Sequence, residues 1–253
     1  MSERVLVLGA TSGIARALVR RLAAEGADLV LAGRRRGELE RIARDAELRG
    51  GVRAAVETYD ARDLAGHDAF LDACFARLDG LDGVLLCHGE LVEQARAERD
   101  LAPALHMLEV NVTGSLSLLE GVAGRLAAAG GGWLAALSSV AGDRGRRRNY
   151  LYGASKAALS TALAGMRARL APAGVSVTDV RPGPVDTRLT FGMALPGIAS
   201  PERVARDVLR GARRGRAVVY TPWPWRFVML VVRALPASLV ARLDAPRRAG
   251  EAG

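Results

Sequence analysis

Thirty-six basic residues occur in this 253-residue chain; one of them, Lys156, is lysine and all the others are arginine. Lys156 follows Tyr152 by four residues in Tyr152-Gly153-Ala154-Ser155-Lys156, and Ala157-Ala158-Leu159 continues a helical pattern. Four-residue spacing sets both side chains on one helical face. A compact ammonium approaches a hydroxyl as a point charge where a planar guanidinium does not fit. Beside a phenol, that charge favours the phenolate. Bringing a phenol from about 10 to about 7 takes roughly 4 kcal/mol and yields a group that exchanges a proton near neutral pH. The ordinary alternative is a surface lysine on a helix; its single use in the chain favours the chemical reading. Tyr150 competes for the acid role, but it lies six residues from Lys156 and off its face.

A second signal is Leu8-Gly9-Ala10-Thr11-Ser12-Gly13-Ile14-Ala15, between a short apolar run and the start of a helical pattern. Glycines at 9 and 13 allow a tight turn and close approach of backbone to a pyrophosphate, with the helix N-terminus facing the charge. Thr11 and Ser12 add hydroxyl donors, and Ile14 opens the helix. Ala15 replaces the third glycine of many such turns and demands only slightly wider packing. After the second apolar run comes Gly33-Arg34-Arg35-Arg36, where NAD sites prefer an acidic residue. Guanidinium groups suit a 2′-phosphate, so NADP(H) is expected over NAD(H), with Arg34 as first contact and Arg35 as second. Alternatively, these arginines only cap a solvated helix. Asp60, after the third run, is placed to bind the adenine amino group.

These residues need a frame. Apolar strands are expected at Arg4–Leu8, Asp28–Ala32, Val52–Glu57, Gly83–Cys87, Gly132–Leu137, Val175–Val180 and Ala217–Tyr220. Helical stretches lie between most of them, including about Ile14–Glu25, Leu101–Leu126 and Tyr152–Leu170. The alternation predicts an α/β fold, a Rossmann-like doubly wound parallel sheet of about seven strands, with ligands at the strands' carboxyl ends. One domain is expected: residues 1–222 as the catalytic unit and 223–253 as an amphipathic, basic extension of it.

Composition narrows the classes. Half the residues are hydrophobic and 4% aromatic, so Leu, Val and Ala must build the core. No run approaches the roughly 18 to 20 apolar residues of a membrane span. Met1-Ser2-Glu3-Arg4 leads straight into a strand, so no signal peptide is expected. Cys74 and Cys87 suit a reducing cytoplasm, and His67, His88 and His106 lack ligand spacing, so no metal site is expected. The net charge is +9, and residues 203–253 carry eleven arginines against three acidic residues, nearly all of the excess. No nucleic-acid motif or stacking platform accompanies it. An anionic lipid surface, a phosphate-bearing substrate or plain solvation remain as readings.

The motifs together resemble the short-chain dehydrogenase/reductase family over essentially the whole chain. They are Gly9-xxx-Gly13-Ile14-Ala15, Asn111, Ser138-Ser139, Tyr152-xxx-Lys156 and Pro182-Gly183-Pro184-Val185-Asp186-Thr187. The resemblance implies a catalytic tetrad of Asn111, Ser139, Tyr152 and Lys156, with Ser139 chosen for its 13-residue distance from the tyrosine. In it Ser139 polarises a carbonyl, Tyr152 is the general acid, Lys156 also holds the nicotinamide ribose, and Asn111 fixes a water. It adds Gly89, Pro182, Gly183, Val185 and Thr187 to the cofactor contacts, and implies a homodimer or homotetramer. Cys87-His88-Gly89 departs from the family's usual Asn-Ala-Gly.

The segment Ser138–Gly153, with Arg146-Arg147-Arg148, is similar to that of the decaprenylphosphoryl-2-keto-ribose reductases, as is the tail from Gly215 to Leu243. That narrower resemblance implies reduction of a keto-sugar on a polyprenyl-phosphate carrier in cell-envelope synthesis. A generic ketone or 3-ketoacyl reductase on a soluble or acyl substrate is the alternative. Trp223-Pro224-Trp225-Arg226-Phe227-Val228-Met229-Leu230-Val231-Val232-Arg233 is suited to lie at a bilayer surface. It is equally suited to pack over the cleft or at a dimer interface.

Overall fold

The structure, a computed structural model, describes residues 2–188, 190 and 197–244. Residues 245–253, with Arg247, Arg248 and Glu251 of the expected basic extension, lie outside them. Seven strands form one parallel sheet: β1 (Arg4–Leu8), β2 (Asp28–Gly33), β3 (Ala54–Thr58), β4 (Gly83–Leu86), β5 (Gly132–Leu137), β6 (Val175–Pro182) and β7 (Val218–Thr221). Their order is β3-β2-β1-β4-β5-β6-β7. The order reverses between β1 and β4, which opens a crevice at their carboxyl ends.

The two-residue period of the strands divides the core. Val5, Val7, Leu29 and Leu31 face α1 (Gly13–Ala24), α2 (Arg36–Gly50) and α8 (Pro201–Arg213), meeting Leu18, Leu22, Leu39, Val204 and Val208. Leu6, Leu8 and Val30 face the other way. They meet Leu71 and Cys74 of α3 (His67–Ala76), Leu118 and Val122 of α6 (Ser115–Ala128), and Leu159 and Leu163 of α7 (Tyr150–Leu170). Both faces are thus covered, as the near-continuous apolar runs require.

Several expected boundaries move. Strand β3 starts at Ala54, because Gly51 ends α2 in a left-handed conformation (φ 63°) and Arg53 N–H is taken by the Asp28 carboxylate at 2.9 Å. Helix α7 begins two residues before Tyr152. The single helix expected over Leu101–Leu126 is instead α5 (Ala102–Leu108), a π-turn (Glu109–Gly114) and α6. A π-turn widens the helix locally and re-aims its side chains, and this one carries Asn111. Gly114 must be glycine, since a Cβ there would sit 1.9 Å from the Ala61 carbonyl oxygen. Two more helices, α4 (Gln94–Arg99) and, after β7, α9 (Trp225–Ala234), precede the final α10 (Ala237–Leu243).

Candidate active site

The end of β1 turns at Gly9, which has a φ of 76°. A Cβ there would lie 2.6 Å from the His88 nitrogen, so the turn and the end of β4 pack backbone to backbone. Ser12 caps α1: its hydroxyl accepts from Ala15 N–H at 3.2 Å while its own proton stays free to donate. Gly13 lies so close to Thr187 that a Cβ would approach its methyl to 3.0 Å. Thr11 and Ile14 occupy the same half-exposed turn. The arrangement leaves bare N–H groups at a helix N-terminus beside a side-chain-free cradle, which fits a dinucleotide pyrophosphate.

Arg34 and Arg35 leave the end of β2 exposed. Arg34 lies 3.6 Å from the Glu90 carboxylate, and Arg35 pairs with Glu38 at 2.6 Å. Asp60 is also exposed; its carboxylate accepts from Arg62 N–H at 2.9 Å, and its carbonyl accepts from His67 Nε2 at 3.1 Å.

Four side chains gather at the carboxyl ends of β4 and β5. Tyr152 is half-buried on the first turn of α7, near Ser139, the residue that opens the short helical turn after β5 and whose hydroxyl accepts from Ala141 N–H at 3.1 Å. Tyr150 is instead 44% exposed. Lys156 is 4% exposed, with Nζ 5.9 Å from the Tyr152 ring centroid. A Cβ on Gly89 would lie 3.2 Å from Lys156 Nζ and 3.4 Å from Asn111 Oδ1, so that glycine keeps the space between them clear. Asn111 Nδ2 donates to the Glu90 carbonyl at 2.9 Å and to Ser155 Oγ at 3.2 Å, and its Oδ1 accepts from Glu90 N–H at 2.8 Å. One Oδ1 lone pair is left over for a water.

Electrostatics corrects one expectation. Burial pushes the Tyr152 phenol up to about 12, and the Ser139 hydroxyl offsets only part of this. Lys156 itself is pushed down to about 8 by burial, opposed by the Asp179 carboxylate. The phenol therefore holds its proton at neutral pH, the state a proton donor needs.

Two buried polar groups escaped the sequence reading. In the first, the Tyr59 hydroxyl and His88 Nδ1 are 2.8 Å apart, and His88 Nε2 and Ser115 Oγ 3.0 Å. Ser115 donates to the Val110 carbonyl at 3.1 Å, so it must accept from Nε2–H, and Nδ1 must accept from Tyr59. Burial holds His88 neutral, with its pKa down to about 3. This chain ties β3 and β4 to the π-turn that carries Asn111. In the second, Arg181 Nε donates to Asp179 at 2.7 Å and Nη1 to Asp143 at 2.6 Å. The Tyr220 hydroxyl donates to Asp143 at 2.8 Å. Ser138 donates its one hydroxyl proton to Asp179, with the Val180 carbonyl 2.9 Å from the same oxygen. The cluster clamps the turn after Ser139 to β6 and β7. An arginine and an aspartate inside the apolar run Val175–Pro182 were its visible signal.

Beyond β6, Gly183 N–H donates to the Thr221 carbonyl at 2.9 Å, and Val185 bridges to Ala199. A Cβ on Gly183 would lie 2.1 Å from Trp225 Nε1, so the first turn of α9 rests on the Pro182-Gly183 turn. The arginine loop docks on the same helix pair: Arg144 donates to the Leu235 carbonyl at 3.2 Å, and Arg147 N–H to Asp244.

Residues 3–193 match the family model described as short chain dehydrogenase. An uncharacterized oxidoreductase of Mycobacterium tuberculosis (strain ATCC 25618 / H37Rv) is 37% identical over 94% of this chain and 96% of its own length. Sulfoacetaldehyde reductase 2 of Chromohalobacter salexigens is 34% identical over 82% of each. Among solved structures, one described as a short chain dehydrogenase/reductase family protein has a TM-score of 0.74 at 30% identity, covering 86% of this chain and 94% of that one.

Proposed function

The chain belongs to the short chain dehydrogenase family of oxidoreductases, and we propose that it is an NADP(H)-dependent carbonyl reductase acting on a keto-sugar carried by a polyprenyl phosphate. The observation that carries the reductase reading is the Tyr152 phenol, near Ser139, with the buried Lys156 ammonium 5.9 Å from its ring. The glycine cradle at Gly9, Gly13 and Gly89, with Arg34 and Arg35 at the edge, supports a dinucleotide whose 2′-phosphate meets guanidinium groups. Pro182, Gly183, Val185 and Thr187 close its nicotinamide side. A bound nicotinamide supplies the hydride.

On this reading Ser139 donates to the substrate carbonyl oxygen and polarises it. Tyr152 gives its proton to the oxygen as negative charge develops there, so carbonyl, hydride and proton become an alcohol. Lys156 holds positive charge beneath the phenol and eases its transient ionisation. Asn111 keeps Glu90 and Ser155 in place and offers one acceptor to a relaying water. The carrier-linked substrate is supported by the arginine loop Arg144–Arg148 beside the apolar helix α9, next to the cleft.

A small anionic carbonyl compound is the second reading, favoured by the likeness to the sulfoacetaldehyde reductase of Chromohalobacter; a sulfonate would also suit those arginines. The test is NADPH oxidation with a purified keto-sugar lipid against soluble keto compounds. Faster turnover of the lipid supports the first reading; turnover of soluble compounds alone overturns it. Tyr152→Phe is expected to abolish turnover while coenzyme titration still saturates, and a fully active variant would overturn the reductase assignment.

A further inference from the structure

A surface helix needs one apolar face, turned to the core; α9 has two. At 3.6 residues per turn, Trp225, Met229 and Val232 share the inner face, and Met229 is fully buried. The opposite face carries Phe227, Leu230 and Val231, which are 58%, 67% and 60% exposed, and Trp223, 63% exposed, stacks edge-on against Phe227. Arg226 and Arg233, seven residues apart, line one flank between the two faces. The helix spans ten residues, about 15 Å, too short to cross a bilayer.

Positive charge also lies close to α9 in the fold. The loop after the Ser139 turn lays Arg146 against Met229 of the inner face, and its Arg147 and Arg148 are exposed. Among the described residues from 223 to 244, Asp244 is the one carboxylate, and it already accepts from Arg147 N–H.

We infer that the outer stripe of α9, flanked by Arg226 and Arg233, docks on an anionic lipid surface and sets the mouth of the cleft against it. Indole and aliphatic groups enter the headgroup boundary while guanidinium groups stay with lipid phosphates. Charge selects lipid over a second copy of the chain. Two copies meeting antiparallel through this stripe about a twofold axis put Arg226 of one beside Arg233 of the other, on a chain whose net charge is +9. The inference deepens the carrier-linked reading of the substrate and rests on it for its purpose; vesicle binding is measured without turnover, so the two can fail separately.

The experiment is flotation of the full-length protein with phosphatidylcholine vesicles, with and without phosphatidylglycerol. Flotation is expected with the anionic vesicles only and falls as salt rises. Phe227→Asp with Leu230→Asp should abolish it while the thermal unfolding midpoint is unchanged, and Arg226→Ala or Arg233→Ala should weaken it roughly fivefold each. No flotation on anionic vesicles, equal flotation on neutral ones, or undiminished flotation of the double aspartate variant overturns the inference. So does a dimer in sedimentation that the double variant dissociates without any lipid binding.

Discussion

Lys156 Nζ donates to the main-chain carbonyl of Leu137 at 2.9 Å, and that carbonyl belongs to the last residue of β5. The ammonium is thereby fastened to the sheet rather than to the helix that carries it. In the sheet register Leu137 pairs with Val180, one residue beyond Asp179. The buried carboxylate that sustains the lysine's charge is thus built into the neighbouring strand.

A pH dependence follows from that arrangement. Lys156 is lowered from 10.5 to about 8, so its charge is present below that pH and lost above it. Tyr152, at about 12, keeps its proton throughout this range. The reductive rate should therefore fall as pH rises through about 8. Asp179→Asn removes a charge that raises the lysine's pKa and should move the fall to lower pH. Profiles of kcat/KM against pH for both proteins check this; an alkaline limb that stays in place in the variant counts against it.

Arg34 should set coenzyme preference. A charge-assisted contact to the 2′-phosphate contributes about 1.5 to 3 kcal/mol. Arg34→Ala should raise KM for NADPH by roughly ten- to a hundredfold and leave KM for NADH nearly unchanged. Equal losses with both coenzymes would assign the arginine a structural task instead.

His88 should make the fold acid-sensitive. Its folded pKa, about 3, lies below the ordinary 6.5, so the unfolded chain binds the proton more readily between those values. The histidine's contribution is complete above pH 6.5 and declines as pH falls through that window. Urea midpoints across it should drop in the native protein, and His88→Gln should flatten the slope even if its midpoint at neutral pH is lower.

Arg181 should be costly to remove. Arg181→Met leaves Asp143 and Asp179, both nearly buried, without their shared cation. Loss of one partner from such a group costs roughly 3 to 5 kcal/mol, a fall of roughly 10 °C in Tm for a chain of this length. Adding Asp179→Asn to that variant should restore part of the loss, as calorimetry can show.

The alternation of apolar runs carried the fold, because strands covered on both faces leave little freedom in their composition. The π-turn was not legible: Leu101–Leu126 has uninterrupted helical periodicity, and what widens it at Asn111 is tertiary, the fit of Gly114 against Ala61 and of Ser115 under His88. The grouping of Tyr152, Lys156, Ser139 and Asn111 could be anticipated from spacing and resemblance. The protonation of Tyr152 could not, since spacing reports the nearness of a charge and says nothing of the desolvation that outweighs it. Likewise His88 stood out as a departure, yet its partner Tyr59 is 29 residues away in sequence.

Trp225 lies against Gly183 on one side of α9, and Phe227 and Leu230 stand on the other. A single helix, about 10 Å across with its side chains, separates the outermost apolar groups from the turn that follows β6. A Cβ at 183 would occupy the place of the indole, so the helix seats this close to the turn only while residue 183 has no side chain.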